Sequence, residues 1–187
     1  LGLFSDATTL EEIAESVSDA GGVTVVPGHA GLGAPFWRMD AKGSIHGLTF
    51  GTSRSHIVRG ALESIPYQIR AILEAVDAES GVRCDSLRVD GGISRNGFVL
   101  RWLADSIGVP VHRLENPDVT ALGAALVAGI GAGVYEGVAQ IEALPLEATV
   151  QQPSENRDGA EQGYRAWRSV VELSSGCPAT HQNHRTD

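Results

Sequence analysis

The sequence predicts an α/β fold, and two patterns of its apolar residues carry that prediction. Short apolar segments rich in β-branched residues alternate with longer segments in which apolar residues recur every three or four positions. The short segments are typical of buried strands, and the longer ones of helices that pack on a sheet. Such alternation along one chain is typical of layered α/β domains. With 187 residues, 42% of them hydrophobic, the chain is long enough to form one domain with an apolar core.

The first fifty residues are predicted to contain one helix and two short strands. Residues 8–12 hold a Thr-Xaa-Xaa-Glu capping box, which predicts a helix that the glycines at 21–22 should end. Residues 23–26 are β-branched and precede a proline, as in a short buried strand. A glycine-rich loop over 28–37 follows, and residues 44–48 form the second strand candidate.

A single long helix is the clearest element of the sequence. Between residues 58 and 76 the apolar positions step by three and four and form one stripe. Pro66 lies inside this stripe, and an interior proline costs about 3 kcal/mol and removes a hydrogen bond. We therefore expect a kink or a break near Pro66, and we expect Gly81 to end the helix.

The second half of the chain alternates strands with helices and ends in a polar tail. The predicted elements are strands over 87–89 and 109–112, and helices over 96–107, 119–130 and 158–173. Residues 1–173 are thus predicted to form one domain, and residues 174–187 a disordered tail.

Charge and cysteine content argue against several classes of function. Fourteen Lys and Arg residues against 23 Asp and Glu give a net charge of −9, so a nucleic-acid partner is not expected. No apolar run reaches the roughly 20 residues that a membrane-spanning helix needs. Cys84 and Cys177 are far apart, and without a signal peptide or a disulfide framework they indicate reduced thiols in a cytoplasmic protein.

One glycine turn is the strongest candidate for a binding site. Asp90-Gly91-Gly92 follows an apolar strand and precedes a helix, and ligands of α/β proteins bind beyond the carboxyl ends of strands. The two glycines would let a flat ring or a ribose approach the backbone, and Ser94 and Asn96 would offer polar groups. An ordinary tight turn is the alternative explanation.

A second candidate is a face of small residues on one predicted helix, formed by Gly123, Ala124, Ala125, Ala128 and Gly129. Close packing of that helix on the sheet would explain this face. A lining role in a nucleotide cleft beside the glycine turn would explain it as well, and the residues alone leave both explanations open.

Other types of site find little support in the sequence. The glycines at 31–33 are followed by a proline where a dinucleotide-binding helix would open, and a P-loop motif is absent. Cys177, His181 and His184 have chelate-like spacing, but a polar tail without packed surroundings seldom holds a metal. No catalytic carboxylate pair can be identified, so we assign neither a catalytic nor a metal-binding residue.

Three stretches of the sequence, taken in order, give evidence beyond the hydrophobic pattern. The first is Gly-Leu-Gly-Ala-Pro-Phe-Trp at 31–37 with Asp-Ala-Lys-Gly at 40–43. The second runs from Gly-Leu-Thr at 47–49 through His-Ile at 56–57 to Ala-Leu-Glu-Ser at 61–64. The third is Arg-Val-Asp-Gly-Gly at 88–92, followed by Asn96, Leu-Ala-Asp at 103–105, Gly-Val-Pro-Val at 108–111 and Thr-Ala-Leu-Gly-Ala-Ala at 120–125. Together they resemble the carbohydrate kinase family that includes glycerol, xylulose and gluconate kinases. The resemblance covers roughly residues 1–172. The first stretch is most similar to glycerol kinases, and erythritol- and xylulose-type kinases remain alternatives.

The resemblance implies a partial actin-like, ribonuclease H-like domain from a two-domain kinase that binds ATP between its domains. It implies that Gly91, Gly92 and Asn96 touch the adenosine end of ATP, and that Mg²⁺ is held mainly through the phosphates. In the family, the polyol site and the catalytic aspartate lie N-terminal to the matched region. Because the chain also begins at Leu1, we expect a C-terminal part that lacks its domain's first strands and is inactive alone. A homo-oligomer is compatible with the resemblance.

Three residues depart from the family pattern, namely Gly60, Pro66 and Arg95. Arg95 lies within the proposed adenosine turn, where a small residue is common. Two functions stay open at this point: the nucleotide-side part of a polyol kinase, or a non-catalytic module that binds an adenine nucleotide or a partner.

Overall fold

The computed structural model describes residues 2–116, 118–144 and 147–174. In these ranges the helices are α1 (Leu10–Glu15), α2 (Arg54–Ser80), α3 (Gly97–Ile107), α4 (Val119–Gly131), α5 (Val138–Glu142) and α6 (Asp158–Ser174). The strands are β1 (Thr24–Val26), β2 (Ser44–His46), β3 (Leu87–Val89), β4 (Val111–Leu114) and β5 (Ala148–Gln151). The predicted tail and its three chelate-like residues lie outside the described residues, apart from Ser174, which ends α6.

The strands form two small sheets. In the first sheet, β1 and β2 are antiparallel, with Thr24 opposite His46. In the second, β3 and β4 are parallel, with Leu87 opposite Val111, and α3 connects them. β5 pairs antiparallel with the other side of β4, so β3 is an edge strand that has one partner among the described residues. The β3–α3–β4 unit confirms the predicted α/β alternation.

Two elements, α5 and β5, have no counterpart among the predicted ones. β5 reads Ala-Thr-Val-Gln, and its two middle residues are exposed, so it lacks the alternating pattern of a half-buried strand. Its conformation depends on hydrogen bonds to β4 rather than on its own residues. β4 itself begins two residues later than predicted, because Pro110 has no N–H and contributes only its carbonyl, which accepts from the Leu87 N–H at 2.9 Å.

The predicted capping of the first helix is wrong in its residues. The capping residue is Asp6, whose side chain accepts the Thr8 N–H at 2.9 Å and caps a short 3-10 turn. Thr9, which directly precedes α1, makes no side-chain cap. α1 then ends at Glu15, well before the glycines at 21–22. Side chains bind the carbonyl groups at this end of the helix: Ser16 donates to the carbonyl oxygen of Ile13 at 2.7 Å, and Arg59 donates to that of Ala14 at 3.4 Å.

The sequence predicts a kink or a break at Pro66, and the structure contradicts the break. α2 continues through Pro66 for 27 residues and ends at Gly81, as predicted, with a left-handed backbone at φ +69°. Pro66 is fully buried, and its neighbours Ser64 and Tyr67 are buried too. Packing on this face therefore offsets the hydrogen bond that the proline removes.

The core lies where α2 contacts its neighbours. Gly60 of α2 passes against β1, and a Cβ atom there would lie 2.9 Å from the carbonyl oxygen of Val23. This contact explains why a glycine stands at a position that departs from the family pattern. The largest buried cluster joins α2, α6 and β1 and consists of Val26, Leu32, Tyr67, Ala71, Tyr164, Trp167 and Val171.

A buried ion pair lies beside this core. Arg59 donates to Glu63 at 2.8 Å, and both residues are less than a tenth exposed. Burial raises the pKa of the Glu63 carboxyl, and the hydrogen bond from Arg59 opposes that rise. Because Arg59 also donates to the carbonyl oxygen of Ala14 in α1, the pair ties α1 to α2.

Candidate nucleotide-binding cleft

The glycine turn lies at the carboxyl end of β3 and its backbone is open. Gly91 has φ +86°, a conformation that other residues adopt only with strain. Gly92 has no such requirement, because its φ is not positive. A Cβ atom added to either residue would meet nothing within 4 Å. The backbone conformation therefore explains Gly91, whereas Gly92 has neither a conformational nor a packing explanation among the described residues.

Hydrogen bonds inside the turn hold its shape. The Ser94 hydroxyl donates to the carbonyl oxygen of Gly91 at 2.7 Å, and Ser94 is buried. Asn96 is the N-cap of α3, and its side-chain oxygen accepts the Val99 N–H at 3.0 Å. The cap uses the side-chain oxygen of Asn96, while its amide NH₂ makes no hydrogen bond with the residues that the structure describes.

Glu11 is a third anchor of the turn that sequence reasoning missed. Its carboxylate accepts the Gly97 N–H at 2.9 Å, across 86 positions of sequence. A Cβ atom on Gly97 would lie 2.5 Å from this carboxylate, so the glycine makes the contact possible. Arg101 lies between Glu11 and Glu15 and pairs with both. No local pattern shows this role, because Glu11 and Gly97 lie 86 positions apart in the sequence.

Two adjoining clefts begin at the turn. A mostly polar cleft of about 280 Å³ is lined by Gly91, Gly92, Ser94, Arg95, Arg113, Leu114, Glu115 and Asn116. A more apolar cleft of about 570 Å³ is lined by Leu114, Glu115, Asn116, Val119, Leu122, Gly123, Leu126 and Glu147. They share the segment 114–116, which begins at the last residue of β4. The two adjoining clefts are together called the groove beyond β3 and β4.

The small residues of α4 divide between the two explanations left open by the sequence. Gly129 packs, because a Cβ atom there would lie 2.7 Å from the ring of Tyr135. Gly123 lines the apolar cleft, and a Cβ atom there would meet nothing within 4 Å. α4 has no buried residue, so close packing against the described residues does not explain Gly123.

The two arginines that line the polar cleft differ in their pairing. Arg113 donates to Glu115 at 2.8 Å, and Thr149 also donates to that carboxylate. The hydrogen bond from Thr149, followed by that from Arg113, lowers the pKa of Glu115. Arg95 is exposed, and its side chain forms no ion pair or hydrogen bond within the described part of the chain. The cleft therefore contains one neutralised and one available guanidinium group.

The structure brings the predicted site residues together but gives them different roles. Gly91 and Gly92 line the polar cleft, whereas Asn96 caps α3 and does not line either cleft. Asn116, which follows β4, lines both clefts. No helix among the described residues is long and apolar enough to cross a membrane. Across the same residues no cluster of three or more His, Cys, Asp or Glu side chains could hold a metal ion.

An open glycine turn and a groove beyond parallel strands define an α/β domain with a site of nucleotide size. Comparison with known proteins then identifies the family. Residues 4–132 match the FGGY family of carbohydrate kinases, C-terminal domain, and the chain belongs to this family. The fold is accordingly that of the C-terminal domain of the two-domain, actin-like carbohydrate kinases, and the resemblance read from the motifs is confirmed.

Three similar proteins illustrate the relationship. A glycerol kinase of Symbiobacterium thermophilum is 44% identical over 96% of this chain, which covers 36% of that protein. The crystal structure of Plasmodium falciparum glycerol kinase with ADP has a TM-score of 0.79 at 31% identity and covers 92% of this chain and 34% of its own. A gluconate kinase of Lactobacillus acidophilus, at 19% identity and a TM-score of 0.77 over 94% of this chain and 36% of its own, shows the shared fold alone. The chain thus spans about a third of the length of these relatives.

Proposed function

We propose that this chain is the C-terminal part of an ATP-dependent glycerol kinase and supplies the adenosine-binding side of its cleft. One observation carries the proposal: Gly92 and Gly123 each line one of the two adjoining clefts, and neither backbone conformation nor packing explains a glycine at these positions. A bound ligand explains both glycines, because a side chain at either position would occupy the groove.

The two halves of the groove suit the two halves of an adenosine. The apolar cleft, with Leu114, Leu122 and Leu126, matches the faces of a purine ring. The polar cleft, with the Gly91 and Gly92 backbone, matches a ribose and the start of a phosphate chain. Asn96 would contribute its amide NH₂ only if the nucleotide reaches the start of α3, and its contact with ATP stays a prediction.

ATP would supply the phosphoryl group for transfer to a polyol hydroxyl, with Mg²⁺ offsetting the charge of its phosphates. In this transfer, the hydroxyl oxygen forms a bond to the γ-phosphorus. The bond from the γ-phosphorus to the oxygen that bridges the β- and γ-phosphates breaks at the same time. The hydroxyl proton passes to a carboxylate, which we expect in the two thirds of the relatives that this chain does not match. The residues described here would bind and orient the adenosine and help exclude water.

Glycerol is the favoured acceptor because bacterial relatives named glycerol kinase are 42–44% identical to this chain, whereas the gluconate kinase neighbour is 19% identical. Another polyol or sugar, such as erythritol or xylulose, is the alternative acceptor. Cytoplasmic localisation and a homo-oligomeric state belong to the same proposal.

The isolated chain is expected to lack kinase activity, because the described residues hold no identified acceptor site or catalytic carboxylate. The measurement is ADP release from ATP in a coupled assay, with glycerol, dihydroxyacetone or erythritol as acceptor. No acceptor-dependent turnover should be detected. Turnover of even about one per second, within the usual range of kinases, would show that the chain holds a complete active site.

A further inference from the structure

Glu115 lies where the two clefts of the groove meet. It lines both the polar and the apolar cleft, and it directly follows Leu114, the last residue of β4. Its backbone N–H donates to the carbonyl oxygen of Glu147 at 3.1 Å, which extends the pairing of β4 with β5 by one residue. This pairing fixes the main chain at the junction, while the side chain of Glu115 is exposed and accessible to a ligand.

One oxygen of the Glu115 carboxylate is occupied and the other is not. Arg113 and Thr149 both donate to Oε1. Oε2 makes no hydrogen bond within the part of the chain that the structure describes. The hydrogen bonds from Thr149 and Arg113 hold the carboxylate in place and lower its pKa, so it is ionised at neutral pH. Oε2 is thus a positioned acceptor that lacks a donor.

We propose that Oε2 of Glu115 accepts a hydrogen bond from a ribose hydroxyl, so that the groove selects nucleosides that carry their ribose hydroxyls. This inference rests on the proposed function, in which the polar cleft holds the ribose and the apolar cleft holds the purine. The glycosidic bond then joins these two groups where the clefts meet, which is where Glu115 lies. Acidic residues near the ends of neighbouring strands bind ribose hydroxyls in other α/β proteins.

A hydroxyl group suits this carboxylate better than the other polar groups of an adenine nucleotide. An ionised carboxylate only accepts hydrogen bonds, and ionised phosphate oxygens also only accept them, so the two cannot pair. The amino group of adenine is a donor, but the charged end of Glu115 lies on the other side of the junction. It is bonded to Arg113, which lines the polar cleft and not the apolar one. The ribose is therefore the donor that the proposed arrangement brings to Oε2.

The test titrates the 187-residue chain with adenosine and with 2′,3′-dideoxyadenosine, which lacks both ribose hydroxyls, and follows binding by NMR. The measured quantity is the ratio of the two dissociation constants. The unsubstituted chain should bind dideoxyadenosine about 3- to 10-fold more weakly, as expected for one hydrogen bond to an accessible carboxylate. Glu115→Ala should bring the ratio close to one, and so should Glu115→Met, which keeps the length of the side chain. A purely structural role of Glu115 would weaken both ligands equally and leave the ratio unchanged.

Glu147→Ala is the matched control, because this exposed glutamate lines the apolar cleft and not the polar one, and the ratio should stay that of the unsubstituted chain. Equal affinity of the unsubstituted chain for both ligands would overturn the role of Glu115, while adenosine binding and the proposed function would stand. A ratio that persists in Glu115→Ala and Glu115→Met would also overturn it, because another group would then bind the hydroxyls. Absence of adenosine binding by the unsubstituted chain would overturn both proposals.

Discussion

At the scale of single residues, Glu11 illustrates how a distant side chain shapes the candidate site. Its carboxylate binds the first N–H of α3, next to the N-cap Asn96. Negative charge is favourable at a helix N-terminus, where the N–H groups lack partners within the helix. Glu11 therefore stabilises the start of α3 and ties it to α1, and the glycine turn is held from both sides.

Replacing Glu11 by alanine should lower the free energy of unfolding by about 1–2 kcal/mol, because a charged hydrogen bond at a helix N-terminus is lost. Glu12→Ala is the matched control: Glu12 is exposed on the same helix, and its replacement should change stability by less than about 0.5 kcal/mol. Chemical denaturation of the two variants measures this difference. Equal stabilities would show that the Glu11 contact contributes nothing.

At the scale of elements, α6 is docked on α2 by polar contacts around an aromatic core. Arg70 of α2 donates to Glu161 at 2.6 Å, and the Tyr164 hydroxyl donates to Glu74. Trp167 donates from its indole nitrogen to the carbonyl oxygen of Val25 at 3.1 Å, so α6 also holds β1. Burial, followed by the hydrogen bond to Glu74, raises the pKa of Tyr164 to about 12.

The raised pKa of Tyr164 predicts a loss of stability in alkali. An unfolded tyrosine ionises near pH 10, whereas the folded one holds its proton to about pH 12, so the stabilisation is complete below pH 10 and is lost between pH 10 and 12. The slope from this residue is at most about 1.4 kcal/mol per pH unit. Unfolding measured at several pH values should show it, and Tyr164→Phe should reduce the slope. The buried Tyr67, whose pKa is also raised by burial, leaves a residual slope in that variant. If the slope of Tyr164→Phe equalled that of the unsubstituted chain, Tyr164 would ionise freely in the folded chain.

Elements with their own periodic pattern could be predicted, and those made by distant partners could not. The stripe between residues 58 and 76 gave the long helix and its end at Gly81, although the effect of Pro66 depended on packing that no local pattern shows. The strand at 87–89 and the glycine turn after it could also be predicted from the sequence. The other wall of the groove could not be predicted, because residues 113–116 reach the turn only through the pairing of β3 with β4.

At the scale of the whole molecule, two surfaces lack cover within the described residues. β3 pairs on one side only, which leaves the other edge without a strand. α4 is apolar yet has no buried residue, and Val127 is 68% exposed. Helices that are apolar all round are normally buried, and open sheet edges pair with other chains.

The isolated chain should therefore associate at rising concentration and unfold at a temperature that depends on concentration. Light scattering during thermal unfolding at several concentrations measures both. Val127→Glu should reduce association, whereas Val82→Glu, at a valine of matching exposure outside α4, should not. A monomer with a sharp, concentration-independent transition above about 60 °C would show that these surfaces need no cover.

The central claim is that the groove beyond β3 and β4 binds adenosine, and a titration followed by NMR tests it most directly. At about 0.3 kcal/mol of binding free energy per heavy atom, a complete site would bind adenosine with a dissociation constant of tens of micromolar. This chain should bind adenosine with a dissociation constant of about millimolar. Gly92→Val and Gly123→Val should each abolish binding, because their side chains would fill the groove. Gly33→Val is the control, since Gly33 also has open space around it but lines neither cleft. Equal binding by all four chains would contradict the claim.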